Sequence, residues 1–250
     1  MSTSLRTSGV LVALGVATLV VLAGCTNPPG ADPAVEPTSS PEASEASAEP
    51  TTPPTRPALA DLELSTEGLL PLALGQAPET DPTLSMVAFD PIGCTDDVTG
   101  YGFGILAGDP LAGGWFIDPS YEVPPSPTDS GRPFGVGVDS SGVVTRIDLY
   151  TDDIPTDGGV RIGDDRADVI AAHPSAVVSS QFLTDIYVIS SPSGILQIEV
   201  ASRATPDQDA YWDSVSIPDG QVLYIHAVTP ALGVFTVAAS GNAVGGCNFG

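Results

Sequence analysis

Turn-forming residues interrupt this chain so often that no long helix can run through it. Glycine occurs 27 times and proline 25 times in 250 residues, and aromatic residues make up only 6%. Short strands joined by turns are what such a chain can build. Residues 136–150 show the pattern. Two β-rich runs flank Asp139-Ser140-Ser141-Gly142, which is hairpin chemistry. In the second run Val144, Arg146, Asp148 and Tyr150 alternate with Val143, Thr145, Ile147 and Leu149, so one face is mostly apolar. A second hairpin is expected over 186–200, turning at Ser190-Ser191-Pro192-Ser193-Gly194. Residues 222–228 and 234–239 also read as strands. The best helix spans 164–173: it opens on acids, as a helix N-terminus prefers, places Ala167, Ile170 and Ala171 on one face, and stops at Pro174. A weaker helix is expected over 82–89, ended by Pro91.

The hairpins invite a search for a period. Thr66-Glu67-Gly68 precedes Leu72-Ala73-Leu74-Gly75-Gln76, and Thr156-Asp157-Gly158 precedes Val160-Arg161-Ile162-Gly163-Asp164. Each match is followed by a candidate helix and then by a hairpin. The expected fold is therefore α+β: strand-rich, with few short helices and antiparallel sheet from two tandem helix-plus-hairpin repeats. The body spans 58–250, with repeat one at 62–150, repeat two at 154–228 and a C-terminal strand at 231–247. Repeat one carries an insertion at about 92–132. Two such units side by side could share a sheet and bury both helices. The stretch Gly163-Asp164, Val169, Pro174 is similar to the signature of the β-lactamase inhibitor protein and the small outer-membrane lipoprotein A family. That resemblance implies tandem helix-plus-sheet domains and a role in protein binding or envelope assembly.

Ahead of the body lie two segments that do not belong to its core. Residues 9–23 carry no charge and are mostly Val, Leu and Ala, after a polar start with one cation, Arg6. At about 15 residues the run is shorter than the roughly 20 of a spanning helix, and suits the apolar region of an export signal. It ends in Leu22-Ala23-Gly24-Cys25, which resembles the bacterial lipobox. The resemblance implies removal of residues 1–24, a diacylglyceryl thioether on Cys25, and often acylation of the freed amine by a fatty acid such as palmitate. Two or three chains, at about 0.8 kcal/mol per buried methylene, make a long-lived anchor. Residues 26–57 are rich in Pro, Ser, Thr, Ala and Glu and contain no aromatic residue. They cannot bury enough apolar surface to offset the entropy of ordering, so 25–57 reads as a disordered stalk that holds the body off the bilayer. The chain also has the general look of lipoproteins of GC-rich Gram-positive bacteria: all its cations are Arg, none is Lys.

Charge narrows the partners. The formal net charge is −24, and the arginines beyond the leader (56, 132, 146, 161, 166 and 203) do not cluster. A nucleic-acid partner needs concentrated cations, as does adhesion to anionic headgroups. Neither is expected; the lipid alone must hold the body at the membrane. With Cys25 acylated, Cys94 and Cys247 remain, and in an oxidising compartment such a pair is expected to bridge. The closed loop of about 150 residues is worth at most about 5 kcal/mol in the chain-entropy description.

No catalytic constellation is visible. The chain has no G-x-S-x-G, no H-E-x-x-H and no Cys-x-x-Cys, and without Lys no Ser-x-x-Lys. His173 stands at the end of the predicted helix, where it can cap carbonyls. His226 sits in an alternating strand and reads as a satisfied side chain rather than a general base. Asp96-Asp97, Asp152-Asp153, Asp164-Asp165 and the Asp207/Asp209 pair read as solvated charge. Residues 153–164 imitate a calcium loop, with Gly158 at the sixth position, but Pro155 supplies no side-chain oxygen at the third. Trp115 and Tyr211-Trp212 read as core aromatics rather than stacking platforms. The 92–132 insertion is the expected binding loop, since long loops in compact domains are commonly functional. The expectation is a lipid-anchored, extracytoplasmic binding module that uses no cofactor or metal and recognises an envelope protein or polymer. The alternatives are an envelope hydrolase with scattered carboxylates, or a structural spacer.

Overall fold

Two hairpins and the strand that joins them form the frame of the body. The computed structural model describes residues 55–95, 104–124 and 131–247. The leader, Cys25 and residues 26–54 of the stalk lie outside the described residues. β6 (Phe134–Val138) and β7 (Val144–Leu149) make the first hairpin. Its turn is organised by Asp139, whose Oδ1 accepts the N–H groups of Ser141 at 2.9 Å and Val143 at 3.2 Å. β9 (Thr184–Ser190) and β10 (Ile195–Ala201) make the second. β11 (Val222–Val228) lies between β7 and β10 and pairs with both. With the edge strand β8 (Val177–Ser180), the result is a six-stranded antiparallel sheet in the order β6-β7-β11-β10-β9-β8. The expected hairpins and the 222–228 strand are present; β8 was not anticipated.

The main core covers one face of this sheet. Ile147, Leu149, Leu196, Ile198, Ile225 and Ala227 project into it from the strands. Against them pack Leu62, Leu64, Leu69 and Leu72, from the region of a small sheet made by β1 (Leu64–Ser65), β2 (Gly68–Leu69) and β3 (Leu72–Ala73). The helix α1 (Arg166–Ala172) closes the same core through Val169. Its N-terminus carries a capping box formed by Asp165 and Asp168. The expected apolar face is wrong. Ile170 is 50% exposed and Ala167 and Ala171 are also exposed, while Val169 and Ala172 face the core. The short helix docks by one β-branched residue, not by its most hydrophobic stripe.

Three further expectations fail. Residues 82–89 form no helix: Asp81 Oδ1 accepts the Thr83 N–H at 2.8 Å to make a turn, and β4 (Val87–Asp90) follows. β4 pairs with β5 (Gly114–Ile117), a strand inside the insertion. Pairing across about two dozen residues overrode the local helical signal. The two proposed repeats are consequently unlike: the second has its helix before the hairpin, and the first has none among its described residues. Third, residues 231–247 are not a strand. Their backbone bonds go to side chains of the sheet, as set out below.

A second helix, α2 (Pro206–Ser214), was also unanticipated. Thr205 caps it and Gln208 returns the bond, a capping box with Pro at the first helical position. α2 buries Trp212 against Leu183 and Ala201, and the indole N–H is shared between the carbonyls of Leu183 (3.0 Å) and Ser202 (3.1 Å). Trp212 is thus a core residue, whereas Tyr211 is 44% exposed. The described residues are strand-rich with two short α-helices. Among the described residues, no helix is long and apolar enough to cross a membrane.

Candidate functional site

The alternation that sends apolar residues to the core sends polar ones to the opposite face. β7 places Arg146 and Asp148 there, β10 places Gln197 and Glu199, and β11 places His226. Cross-strand register aligns Asp148, His226 and Gln197 in one row over three neighbouring strands. Such a row is ordinarily wet. Here it is dry: Arg146 is 5% exposed, Asp148 3%, His226 1%, and Gln197 and Glu199 0%.

The cover is the C-terminal segment, residues 229–247, which crosses this face as a strap. Side chains of the sheet bond to its backbone. Gln197 accepts from the Phe235 N–H (3.2 Å) and donates to the Gly233 carbonyl (3.0 Å). Glu199 accepts from the N–H groups of Val237 and Ala238 and from the hydroxyls of Thr184 (3.0 Å) and Thr236 (2.8 Å). Asp148 accepts from the Val244 N–H at 3.2 Å, and Tyr150 donates to the Val244 carbonyl. This is why the β-rich residues 234–239 form no strand: carboxylates and an amide serve the groups a neighbouring strand would have served. The strap can pass only because Gly135 has no side chain. A Cβ there would collide with the Val244 carbonyl oxygen and lie 2.8 Å from the Tyr150 ring. At the crossing Gly245 adopts φ +100°, a left-handed conformation suited to glycine.

Beyond the crossing, Cys247 Sγ lies 2.17 Å from Cys94 Sγ, with Cα atoms 5.5 Å apart, so the two cysteines are placed as a disulfide. Cys94 belongs to a small cluster with Ile105 and Ala112. The strap is therefore tied at its far end to the lobe that contains β4 and β5. Of the insertion expected to bind, residues 96–103 and 125–130 lie outside the described residues. Trp115 is half-buried and packs against Phe89 with ring centroids 5.6 Å apart.

Electrostatics beneath the strap are unusual. Arg146 holds Asp148 through two bonds of 2.7 Å, a bidentate pair. Burial nevertheless raises Asp148 above the ordinary carboxylate range, with Arg146 opposing. Burial also raises the Tyr150 hydroxyl, keeping it a donor. His226 stacks on Phe235 at 4.9 Å, and the Arg146 guanidinium lies 4.5 Å from the same ring. Neither His226 nitrogen has a hydrogen-bond partner among the described residues. Burial first, and then Arg146, push its pKa down to about 3, so the ring is neutral. The expectation of a satisfied histidine is thus overturned: the ring serves as a flat wall, not as a hydrogen-bonding group. His173 is the C-cap of α1, as its place in the sequence suggests, and its backbone N–H caps the Val169 carbonyl; its Nε2 is buried without a partner among the described residues, and the ring packs against Gly158.

Between the strap and the β6–β7 hairpin lies a cavity of about 610 Å³. Val138, Leu232, Phe235 and Val244 line it on the apolar side, Asp139 and Arg146 are its charged lining residues, and hydroxyl and amide side chains of Thr145, Gln181, Thr236, Ser240 and Asn242 complete it. Neither Asp148 nor Glu199 lines it. The two buried carboxylates accept from the strap and from neighbouring donors. At the calcium-like loop, the Arg161 guanidinium donates to the Asp152 carbonyl at 2.6 Å, and Asp164 accepts the Arg161 N–H at 2.7 Å. A protein cation already occupies that loop.

No protein-family model, curated protein or solved structure matches the chain.

Proposed function

We propose that this protein is a lipid-tethered binding module of the cell envelope, held on the extracytoplasmic face by acyl chains on Cys25, and that its ligand enters the cavity between the strap and the β6–β7 hairpin. The cavity carries the reading. Its volume lies inside the range of small-molecule sites, and its lining joins apolar side chains to hydroxyl, amide and charged ones, as a binding site does. The leader and the Pro-rich stalk support the tether, and the charge of −24 argues against nucleic acid as partner. In this reading the module performs no chemistry on what it holds: Asp148 and Glu199 are committed to the strap, and Asp139 is committed to the β6–β7 turn.

Two measurements test this reading. The first is fractionation of cells expressing the full chain, wild type against Cys25→Ala. Acylation of Cys25 keeps the wild type with membranes and releases the variant; co-fractionation of both removes the tether. The second is native mass spectrometry of the purified mature protein, wild type against Gly137→Leu. Gly137 lines the cavity, and a Cβ there meets Arg146 Cβ at 3.4 Å, an ordinary contact, so the backbone accepts a side chain at this place. A bound small molecule retained by the wild type and lost from the variant supports the module. Equal retention, or none in either, refutes the cavity as its site.

A further inference from the structure

The Arg146 guanidinium is only half used. Nε and Nη2 hold Asp148, and Nη2 also donates to the Asn242 carbonyl at 2.6 Å. Nη1 donates to no acceptor among the described residues, and it is not one of the buried atoms left without a partner. The side chain itself is 7% exposed, and Arg146 lines the cavity. A nearly buried arginine therefore lines, with two unused N–H donors, a space of mixed apolar and polar walls. Nη1 still reaches solvent, so a ligand that covers it must supply an acceptor or leave the donor unpaired at a cost.

The surroundings decide which acceptor fits. Asp148 already neutralises Arg146 by its bidentate pair. Asp139 lines the same cavity, and its bonds from Ser141 and Val143 hold its carboxyl below the usual range, so it is ionised. The neighbouring His226 is neutral. The cavity thus has no uncompensated positive charge, and the whole chain carries −24. An anionic ligand would lose its hydration and meet a repulsive field. A cationic ligand is drawn by Asp139 and by the net charge, but it leaves Nη1 covered and without an acceptor. An uncharged carbonyl accepts both N–H groups and brings no charge to desolvate.

We infer that the cavity binds an uncharged, mainly apolar molecule that presents an amide or ester carbonyl to Nη1 of Arg146, with its apolar body against Val138, Leu232 and Phe235. This rests on the cavity being the binding site, as proposed above.

The test uses three probes of nearly the same shape: octanamide, octanoate and octylammonium. Each is titrated calorimetrically into the mature full chain at pH 7.5, for the wild type, Arg146→Lys and Gly137→Leu. Lys keeps the charge opposite Asp148 but lacks the second arm of the guanidinium. The expected result is saturable binding of octanamide, at least tenfold tighter than either charged probe. Arg146→Lys weakens octanamide about tenfold and leaves octylammonium within twofold; Gly137→Leu abolishes octanamide binding. If Arg146→Lys does not fold, the order of the three probes on the wild type and the Gly137→Leu result still decide. Tightest binding by octanoate overturns the uncharged class while leaving the binding module standing. Equal binding of octanamide and octylammonium shows that no carbonyl is read, with the same consequence. No binding by any probe, or octanamide binding that Gly137→Leu leaves intact, overturns both the inference and the cavity as the site.

Discussion

Acidification should loosen this protein through one residue, His226. In the fold the ring is buried without partners and its pKa is pushed down to about 3; the ordinary value is 6.5. Between those two values the unfolded chain binds a proton at this position and the folded chain does not. Stability therefore falls as pH drops below about 6.5, and is flat above about 7.5 as far as this group is concerned. Each pH unit of difference is worth about 1.4 kcal/mol, so at pH 5 the loss is about 2 kcal/mol relative to pH 7.5. For a unit of this size that is roughly 4–8 °C in Tm. The groups facing the ring are Asp148 and Gln197 across the two neighbouring strands, Arg146 beside it and Phe235 stacked on it. Asp148, raised by burial, takes up a proton in the fold more readily and works in the opposite direction. The measurement must therefore be a difference. Urea denaturation of the wild type and His226→Leu at pH 7.5 and pH 5 should show the wild type losing about 2 kcal/mol more than the variant. At pH 7.5 the variant should be at least as stable, because it removes two unpaired nitrogens. In the wild type, the His226 ring proton resonance should not titrate above pH 4. Parallel losses in the two proteins, or a His226 that titrates near 6.5, would refute the argument.

Three other perturbations address the strap. Gly135→Ala sets a methyl group against the Val244 carbonyl, and should cost roughly 1–3 kcal/mol in urea denaturation while raising hydrogen exchange across residues 242–246. Glu199→Gln replaces a carboxylate that accepts from four groups with an amide that must turn a donor toward donors; about 2–4 kcal/mol should be lost, with faster exchange at Val237 and Ala238. Replacing both Cys94 and Cys247 by Ser opens a loop with sequence separation 153 and should lower stability by up to about 5 kcal/mol. An unchanged midpoint would show that the strap is held by its backbone bonds alone.

What could be read early was what residues a few positions apart decide together. Asp139 and Gly142 make a turn whatever lies elsewhere, and the flanking alternation makes the strands. The acids before residue 166 open a helix. The capping box of Thr205 and Gln208, with Pro206 between them, was equally local and announced α2. The helix carries no apolar stripe to mark its length: it is fastened by Trp212 and by Gln208, whose amide donates to the Phe182 carbonyl at 2.9 Å. The edge strand β8 carries no such local mark: Val177 and Val178 are exposed, and the strand exists because β9 offers it partners.

The candidate site was legible only in part, and the reason is physical. Alternation along β7 and β10 shows that two faces differ; it cannot show whether the polar face meets water or protein. That depended on Asp148 reaching a backbone N–H 96 residues away and Glu199 reaching others 38 and 39 residues away. Such bonds leave no periodic trace, since any residue type can supply an N–H. Local chemistry along the chain thus determined the turns, most of the strands and the acidic charge. Tertiary structure alone decided that a turn-rich C-terminal segment would dry a row of charged side chains, leave one arginine arm unsatisfied, and enclose a cavity beside it.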